Sequence, residues 1–322
     1  MSDFSNFQFY NFSGGLDFKH SAPLVSQTEK EVAWADGINV ELLQSGGITR
    51  MNGSQLFATI EGEKILGGFE GENNGKSFLV VITASGKFYS YENSSFVLKK
   101  SDLTPNQIPN FKIYLNGVFV VNGVDDPFLF VPGNNPEISQ ANATTSGGTN
   151  IRSLALEVYK GRIWMANGST LYYSALGKFN DWTTSNDAGS ITNFHNDTSP
   201  ITALCNFKDV LVIHKKEGSF ILSGNSPENF VITPFSNLGA VSPMGINVAN
   251  GIQIFFNRAI YPFVVNELGE ITQGSAISEK IKNKLELFSN SKNEKCILLN
   301  FKNKSQIWCF LYENNDNYFH TI

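Results

Sequence analysis

Five stretches of this chain follow one pattern, and the interval between them limits the folds open to it. They are FKIYLNGVFVVNGVDDPFLF from Phe111, LEVYKGRIWMANGSTLYYS from Leu156, LCNFKDVLVIHKKEGSFILS from Leu204, INVANGIQIFFNRAIYPFVV from Ile246 and LLNFKNKSQIWCFLYENNDNYF from Leu298. Each has an aromatic or apolar lead-in, a turn of the Asn-Gly, Lys-Gly or Lys-Asp type, an apolar strand, a second turn and another apolar strand. The turn residues Gly117, Gly161, Asp209 and Gly251 fall 44, 48 and 42 residues apart. An earlier copy, KSFLVVITASGKFYSYENSSFVL from Lys76, places its first turn at Ala84-Ser85-Gly86. A repeat of roughly 40 to 50 residues built from short strands signals propeller blades.

The physics behind that period is the burial of sheet faces. A single four-stranded sheet of about 40 residues cannot bury both faces, but sheets stacked radially around an axis bury them against each other. The chain is therefore expected to be all-β, a β-propeller of about six blades. The alternative is a large β-sandwich, which also gives evenly spaced short strands, although a sandwich does not repeat a sequence pattern from hairpin to hairpin.

Residues 27–322 are expected to form the propeller, with residues 1–26 as an extended N-terminal arm. The last repeat stops within a blade, so residues 38–60 are candidates for the strands that complete that sheet and close the ring. The arm is rich in Phe and Tyr, and such a surface has to pack on its own propeller or on a neighbouring subunit. Two short helices are expected. Thr28 and Glu31 make a capping box ahead of Val32, Ala33 and Ala35, with Gly37 as the stop. Further on, Ile277, Ile281, Leu285 and Phe288 recur at helical spacing.

Composition narrows the function. The 322 residues are 41% hydrophobic, enough for a large core, and 24 Lys and Arg against 29 Asp and Glu leave a net charge of -5. That balance argues against a phosphate-gripping surface. No apolar run approaches the roughly 20 residues of a membrane span, and the start lacks a basic segment with an uninterrupted apolar core, so no membrane anchor or secretion signal is expected. Cys205, Cys296 and Cys309 form no CxxC pair and read as reduced core residues. Asn-x-Ser/Thr triplets such as Asn52-Gly53-Ser54 and Asn142-Ala143-Thr144 carry no weight without a secretion signal.

Motifs for chemistry are sparse. His20, His195, His214 and His320 lie far apart, and His214 on its apolar strand reads as a satisfied core histidine rather than a ligand. EGENNGKS, residues 70–77, is one residue short of a phosphate loop and is followed by a strand where a helix should begin, so it reads as a polar hairpin loop between blades. SNDAG, residues 185–189, matches the Ser-x-Asp-x-Gly core of the sialidase Asp-box turn, but Thr192 stands where the following aromatic should be. The only arginines are Arg50, Arg152, Arg162 and Arg258, and no acid and nucleophile pair for glycoside cleavage can be picked out. The expectation is a chain that is not an enzyme, with no catalytic residues, no cofactor and no metal.

Four stretches carry a family resemblance. NFSGGLDFKHSAPLV, ADGINVELLQSGGITRMNGSQLF, LYYSALGKFNDWTTSNDAGSI and ITALCNFKDVLVIHKKEGSFILSG, in that order, resemble the tail accessory proteins of short-tailed bacteriophages. These are propeller-containing hub, nozzle or packaged-DNA stabilisation proteins. The most specific parts are the opening Asn-Phe-Ser-Gly-Gly-Leu, the Gly-Gly-Ile with Arg50 and Gly53, and the segment from Asp181-Trp182 to Gly189. The resemblance covers nearly the whole chain, which is short for that family, so its exact place in the tail stays open. It implies a virion protein, made in the bacterial host cytoplasm, whose partners are other tail subunits and the portal and adaptor proteins. Copies would form a ring, expected to be a homohexamer, that extends the DNA channel below the portal and retains packaged DNA until ejection. Passing double-stranded DNA would meet a mildly acidic wall that repels phosphate, with no sequence-specific binding. The alternative is a glycan-binding or glycan-cleaving β-propeller.

Overall fold

The computed structural model describes residues 55–73, 75–285, 293–301 and 306–312, with short pieces at 15–16, 33–34, 40–42, 48–50, 53 and 319–321. Two small pairings come first. β1 (Gly15–Leu16) runs parallel to β2 (Ala33–Trp34), and β3 (Val40–Leu42) is antiparallel to β4 (Ile48–Arg50).

Six antiparallel sheets then follow one another among the described residues. The first holds β5 (Ile65–Asn73), β6 (Lys76–Thr83), β7 (Phe88–Glu92) and β8 (Ser95–Lys100). The second holds β9 (Asn110–Tyr114), β10 (Gly117–Val121), β11 (Phe128–Phe130) and β12 (Ile138–Gln140). The third holds β13 (Leu156–Tyr159), β14 (Arg162–Asn167), β15 (Thr170–Tyr173) and β16 (Gly189–Ile191). β17 (Ile201–Phe207), β18 (Val210–Lys215), β19 (Gly218–Ser223) and β20 (Val231–Ser236) make the fourth. The fifth is β21 (Ile246–Ala249), β22 (Ile252–Asn257), β23 (Ala259–Val265) and β24 (Ile271–Gln273). The sixth is β25 (Ile297–Phe301), β26 (Gln306–Tyr312) and β27 (Phe319–Thr321). Within each sheet, strands pair in sequence order. The first strands β5, β9, β13, β17, β21 and β25 pack side by side in turn, and all six border one axial cavity. This is a β-propeller, and the sandwich alternative, with two facing sheets, does not describe it.

Turn chemistry starts each blade. Lys160-Gly161, Lys208-Asp209 and Asn250-Gly251 form the first tight turns of the third, fourth and fifth sheets, with φ of +48 and +71, +50 and +62, and +51 and +75 degrees. Both central residues are left-handed, as a type I′ turn requires, and this turn matches the twist of the flanking strands. In the second sheet the turn is Leu115-Asn116, and Gly117 opens β10 instead. A Cβ at Gly117 would collide with the Phe130 carbonyl oxygen.

The second strands hold the blades together through period-two alternation. In β10, Val118 and Val120 pack on the first sheet, while Phe119 and Val121 pack on the third. In β14, Ile163 and Met165 face back to the second sheet, and Trp164 and Ala166 face forward to the fourth. β18 sends Leu211 and Ile213 back and Val212 forward, and β22 sends Phe255 back and Phe256 forward. Five apolar cores thus lie between consecutive sheets among the described residues. Strands buried on both faces read as unbroken apolar runs, which is why VFVV and IWMA show no polar alternation.

Two expectations change. The capping-box helix is replaced at its centre by a strand, because Ala33–Trp34 pairs with Gly15–Leu16 and helix propensity is a weak preference that pairing overrides. Its other residues lie outside the described residues. Strands β3 and β4, within residues 38–60, pair with one another rather than with the sixth sheet, a three-residue hairpin being the nearer partner for each. The second helix is present as a 3-10 turn at Glu279–Ile281 that continues into α1 (Lys282–Leu285). Ile281 and Leu285 seat on the core between the fifth and sixth sheets, whereas Ile277 is 59% exposed because the turn precedes the helix. Phe288 and most of the arm lie outside the described residues.

Trp164 is fully buried, its ring 4.9 Å from Tyr173 and 5.2 Å from Phe230. Trp164→Ala is expected to cost about 3–5 kcal/mol, read as a lower urea midpoint at unchanged slope.

Candidate functional site: the axial cavity

The cavity on the propeller axis has a volume of about 700 Å³. Part of its lining comes from one register position in the repeat. The third residue before each first tight turn is Lys112 in β9, Glu157 in β13, Cys205 in β17 and Asn247 in β21, and all four line the cavity. Lys112 and Asn247 keep part of their side chains exposed at that position, whereas Glu157 is buried and Cys205 joins the core between the fourth and fifth sheets.

Lys112 Nζ donates to Glu157 Oε2 at 2.8 Å, joining the second and third blades. Burial pushes the Lys112 ammonium down, but the Glu157 carboxylate outweighs it and the lysine sits above its ordinary value. Glu157 Oε1 accepts the Val158 N–H at 2.9 Å, so both of its oxygens are engaged. Burial raises the Cys205 thiol far above its usual range, which keeps it protonated.

Asparagine amides cross the gaps between first strands. Asn206 Nδ2 donates to Val158 O at 3.1 Å, Asn247 Nδ2 to Leu298 O at 3.0 Å, and Asn300 Nδ2 to Val248 O at 3.4 Å. Further out, the Tyr114 hydroxyl donates to Gly161 O at 3.2 Å and the Tyr159 hydroxyl to Asp209 O at 2.9 Å. Each tyrosine ends a first strand and ties it to the turn of the next blade.

The residues weighed from sequence fall elsewhere. His214 is fully buried between the fourth and fifth blades, stacked on Phe263 at 5.7 Å. Ala240 N–H donates to its Nδ1 at 3.1 Å, and the Gln253 side-chain amide nitrogen lies 2.7 Å from its Nε2. It is a satisfied core histidine. His195 is exposed, with Nε2 3.1 Å from Ile232 O, and His20 lies outside the described residues. EGENNGKS is a hairpin, but within the first blade rather than between blades, because Asn73 pairs with Lys76.

SNDAG is a clamp. Asp187 pairs with the buried Arg162 at 2.7 Å and accepts the Leu176 N–H at 3.2 Å, and Arg162 also donates to Ser174 O at 3.0 Å. Asp181 holds the same long loop, accepting from Thr184 Oγ1 at 2.6 Å, a bond that leads in lowering its carboxyl to about 2. Arg152 pairs with Asp126 at 3.2 Å. Lys215 is fully buried, donating to Asp197 O at 2.6 Å with its Nζ 4.7 Å from the Phe194 ring centre; burial lowers its pKa against the pull of Asp197. The three cysteines are free and buried. Among the described residues no group of three or more His, Cys, Asp or Glu gathers, and no helix is long and apolar enough to cross a membrane.

Sequence reasoning did not single out the axial set. The signal lay in the aligned repeats: a residue at a constant offset before each turn that is polar in FKIY, LEVY and INVA and is Cys205 in LCNF.

No protein-family model matches the chain, and none of the curated proteins matches it in sequence. Solved structures do match. The extracellular domain of the one-component system BT4673 from B. thetaiotaomicron aligns with a TM-score of 0.52 at 12% identity, over 85% of this chain and 35% of that one. Virginiamycin B lyase from Staphylococcus aureus aligns with a TM-score of 0.49 at 11% identity, over 81% and 83%. The computationally designed Ika8 protein aligns with a TM-score of 0.49 at 12% identity, over 80% and 72%. The shared feature is the propeller-like fold.

Lys112→Met strands the buried Glu157 carboxylate. The expected loss is about 2 kcal/mol, below the roughly 3–5 kcal/mol of a fully buried pair because Lys112 is partly exposed. Adding Glu157→Leu should recover most of it in chemical denaturation. Burial holds His214 down at about 3, against 6.5 in the unfolded chain, so the unfolded chain takes up that proton first. Stability is complete above about pH 6.5 and falls as pH drops towards about 3. Thermal melts between about pH 7 and 5, above the carboxylate range, should show a falling Tm that is flatter in His214→Gln.

Proposed function

We propose that this chain is a structural subunit of a short-tailed phage tail, in the hub or nozzle. The observation that carries the reading is the ordered set of stretches that resemble tail accessory proteins. Two of them, residues 171–191 and 201–224, contain the end of the third blade and most of the fourth, including the Asp181 and Asp187 clamps. In this reading those residues keep a load-bearing joint stiff, and the chain is not an enzyme.

In this reading the DNA path is not the propeller axis: the six first strands close around the axial cavity of about 700 Å³ and the duplex runs outside it. The channel is instead formed between copies of the chain, arranged as a ring below the portal and adaptor proteins. A net charge of -5 suits a conduit that DNA slides past. Such a ring uses a heterologous interface that closes by rotation.

Cryo-electron microscopy of purified virions or isolated tails tests this. The expected result is a closed ring of this chain around a DNA-wide channel. Absence of the chain from particles overturns the reading.

A further inference from the structure

We propose that the axial cavity is a binding site for a neutral saccharide. The proposal goes beyond the tail reading and does not rest on it. A volume of about 700 Å³ falls within the roughly 300–1,000 Å³ of small-ligand sites.

The lining selects the chemistry. Lys112 Nζ carries three N–H donors, one of which goes to Glu157, and its side chain remains 35% exposed. On the opposite side of the charge balance, Glu70 is an exposed carboxylate on β5 that forms no ion pair or side-chain hydrogen bond among the described residues. Asn206, Asn247 and Asn300 give their amide N–H groups to neighbouring strands, which leaves their carbonyl oxygens as acceptors. Phe69, stacked on Phe111 at 5.8 Å, adds an apolar surface.

A phosphorylated or carboxylate ligand would meet the unpaired Glu70, and a polyamine would meet the Lys112 ammonium. A neutral polyol conflicts with neither. Its hydroxyls donate to the asparagine oxygens and Glu70, accept from Lys112, and its C–H face covers Phe69. Each hydroxyl both donates and accepts, which matches a wall of separated donors and acceptors better than either charged class.

The full-length chain is titrated by calorimetry and saturation-transfer NMR with glucose, galactose, N-acetylglucosamine, lactose and maltose, alongside spermidine and inorganic phosphate. At least one sugar is expected to bind, with affinity reduced about tenfold or more in Asn300→Ala and less in Glu70→Gln, while the charged probes do not bind. Glu70 is exposed, so Glu70→Gln keeps the fold, and matching Tm values check Asn300→Ala. No binding by any of the sugars, binding that survives both variants, or binding of spermidine or phosphate alone overturns the proposal. The titration uses the isolated chain, so its failure is separate from absence of the chain from virions.

Discussion

The second strand of every central blade is apolar on both faces, and that constraint organises the molecule. Neither face of β10, β14, β18 or β22 can meet water at low cost, so each sheet needs a neighbour on either side. Phe119 and Val120 are adjacent in sequence yet belong to different cores. A change at one of these positions therefore acts on one blade junction, while the backbone of the strand couples it to the next. The lone buried imidazole on these strands obeys the same rule: His214 occupies a forward-facing position of β18, and it is tolerated there because both ring nitrogens have partners and its ring stacks on Phe263.

Apolar cores alone do not fix how blades sit in the direction of the axis. The hydrophobic effect is non-directional, and first strands of adjacent sheets share no backbone ladder. Directional bonds supply the register. Asn206, Asn247 and Asn300 each reach a backbone carbonyl of a neighbouring first strand, and Tyr114 and Tyr159 reach the turn of the following blade. The Lys112–Glu157 pair adds a third kind of tie at the axis. The fourth blade has Phe207 at the position of these tyrosines, so that junction relies on packing where its predecessors use a hydroxyl.

Much of this was legible in the sequence for a definite physical reason. Type I′ turns demand residues that tolerate positive φ, so Lys160-Gly161, Lys208-Asp209 and Asn250-Gly251 announce the repeat through local chemistry. Doubly buried strands announce themselves as apolar runs. The helix expected around Ala33 failed because a capping box records only local preference, and a pairing with Gly15–Leu16 prevailed. The clamp role of Asp187 was hidden for another reason: SNDAG shows the turn, but its partner Arg162 lies on a different strand and is brought near only by the blade. The axial set was hidden because its members come from different blades and share no residue type.

That lack of a shared type has its own explanation. On the first strands, side chains that face neighbouring sheets must be apolar and fitted, whereas the position three residues before the turn borders the axial cavity and is polar in three blades. That position holds Lys112, Glu157 and Asn247, and in the fourth blade Cys205, which also joins the core between the fourth and fifth sheets. The axial end of the first strands is therefore a place where side-chain chemistry varies from blade to blade. What this chain places there is a charge pair with both carboxylate oxygens engaged, a lysine with donors remaining, and amide oxygens left open. Such a surface is too polar to be filled by packing, and its open donors and acceptors match the hydroxyl groups of the proposed ligand.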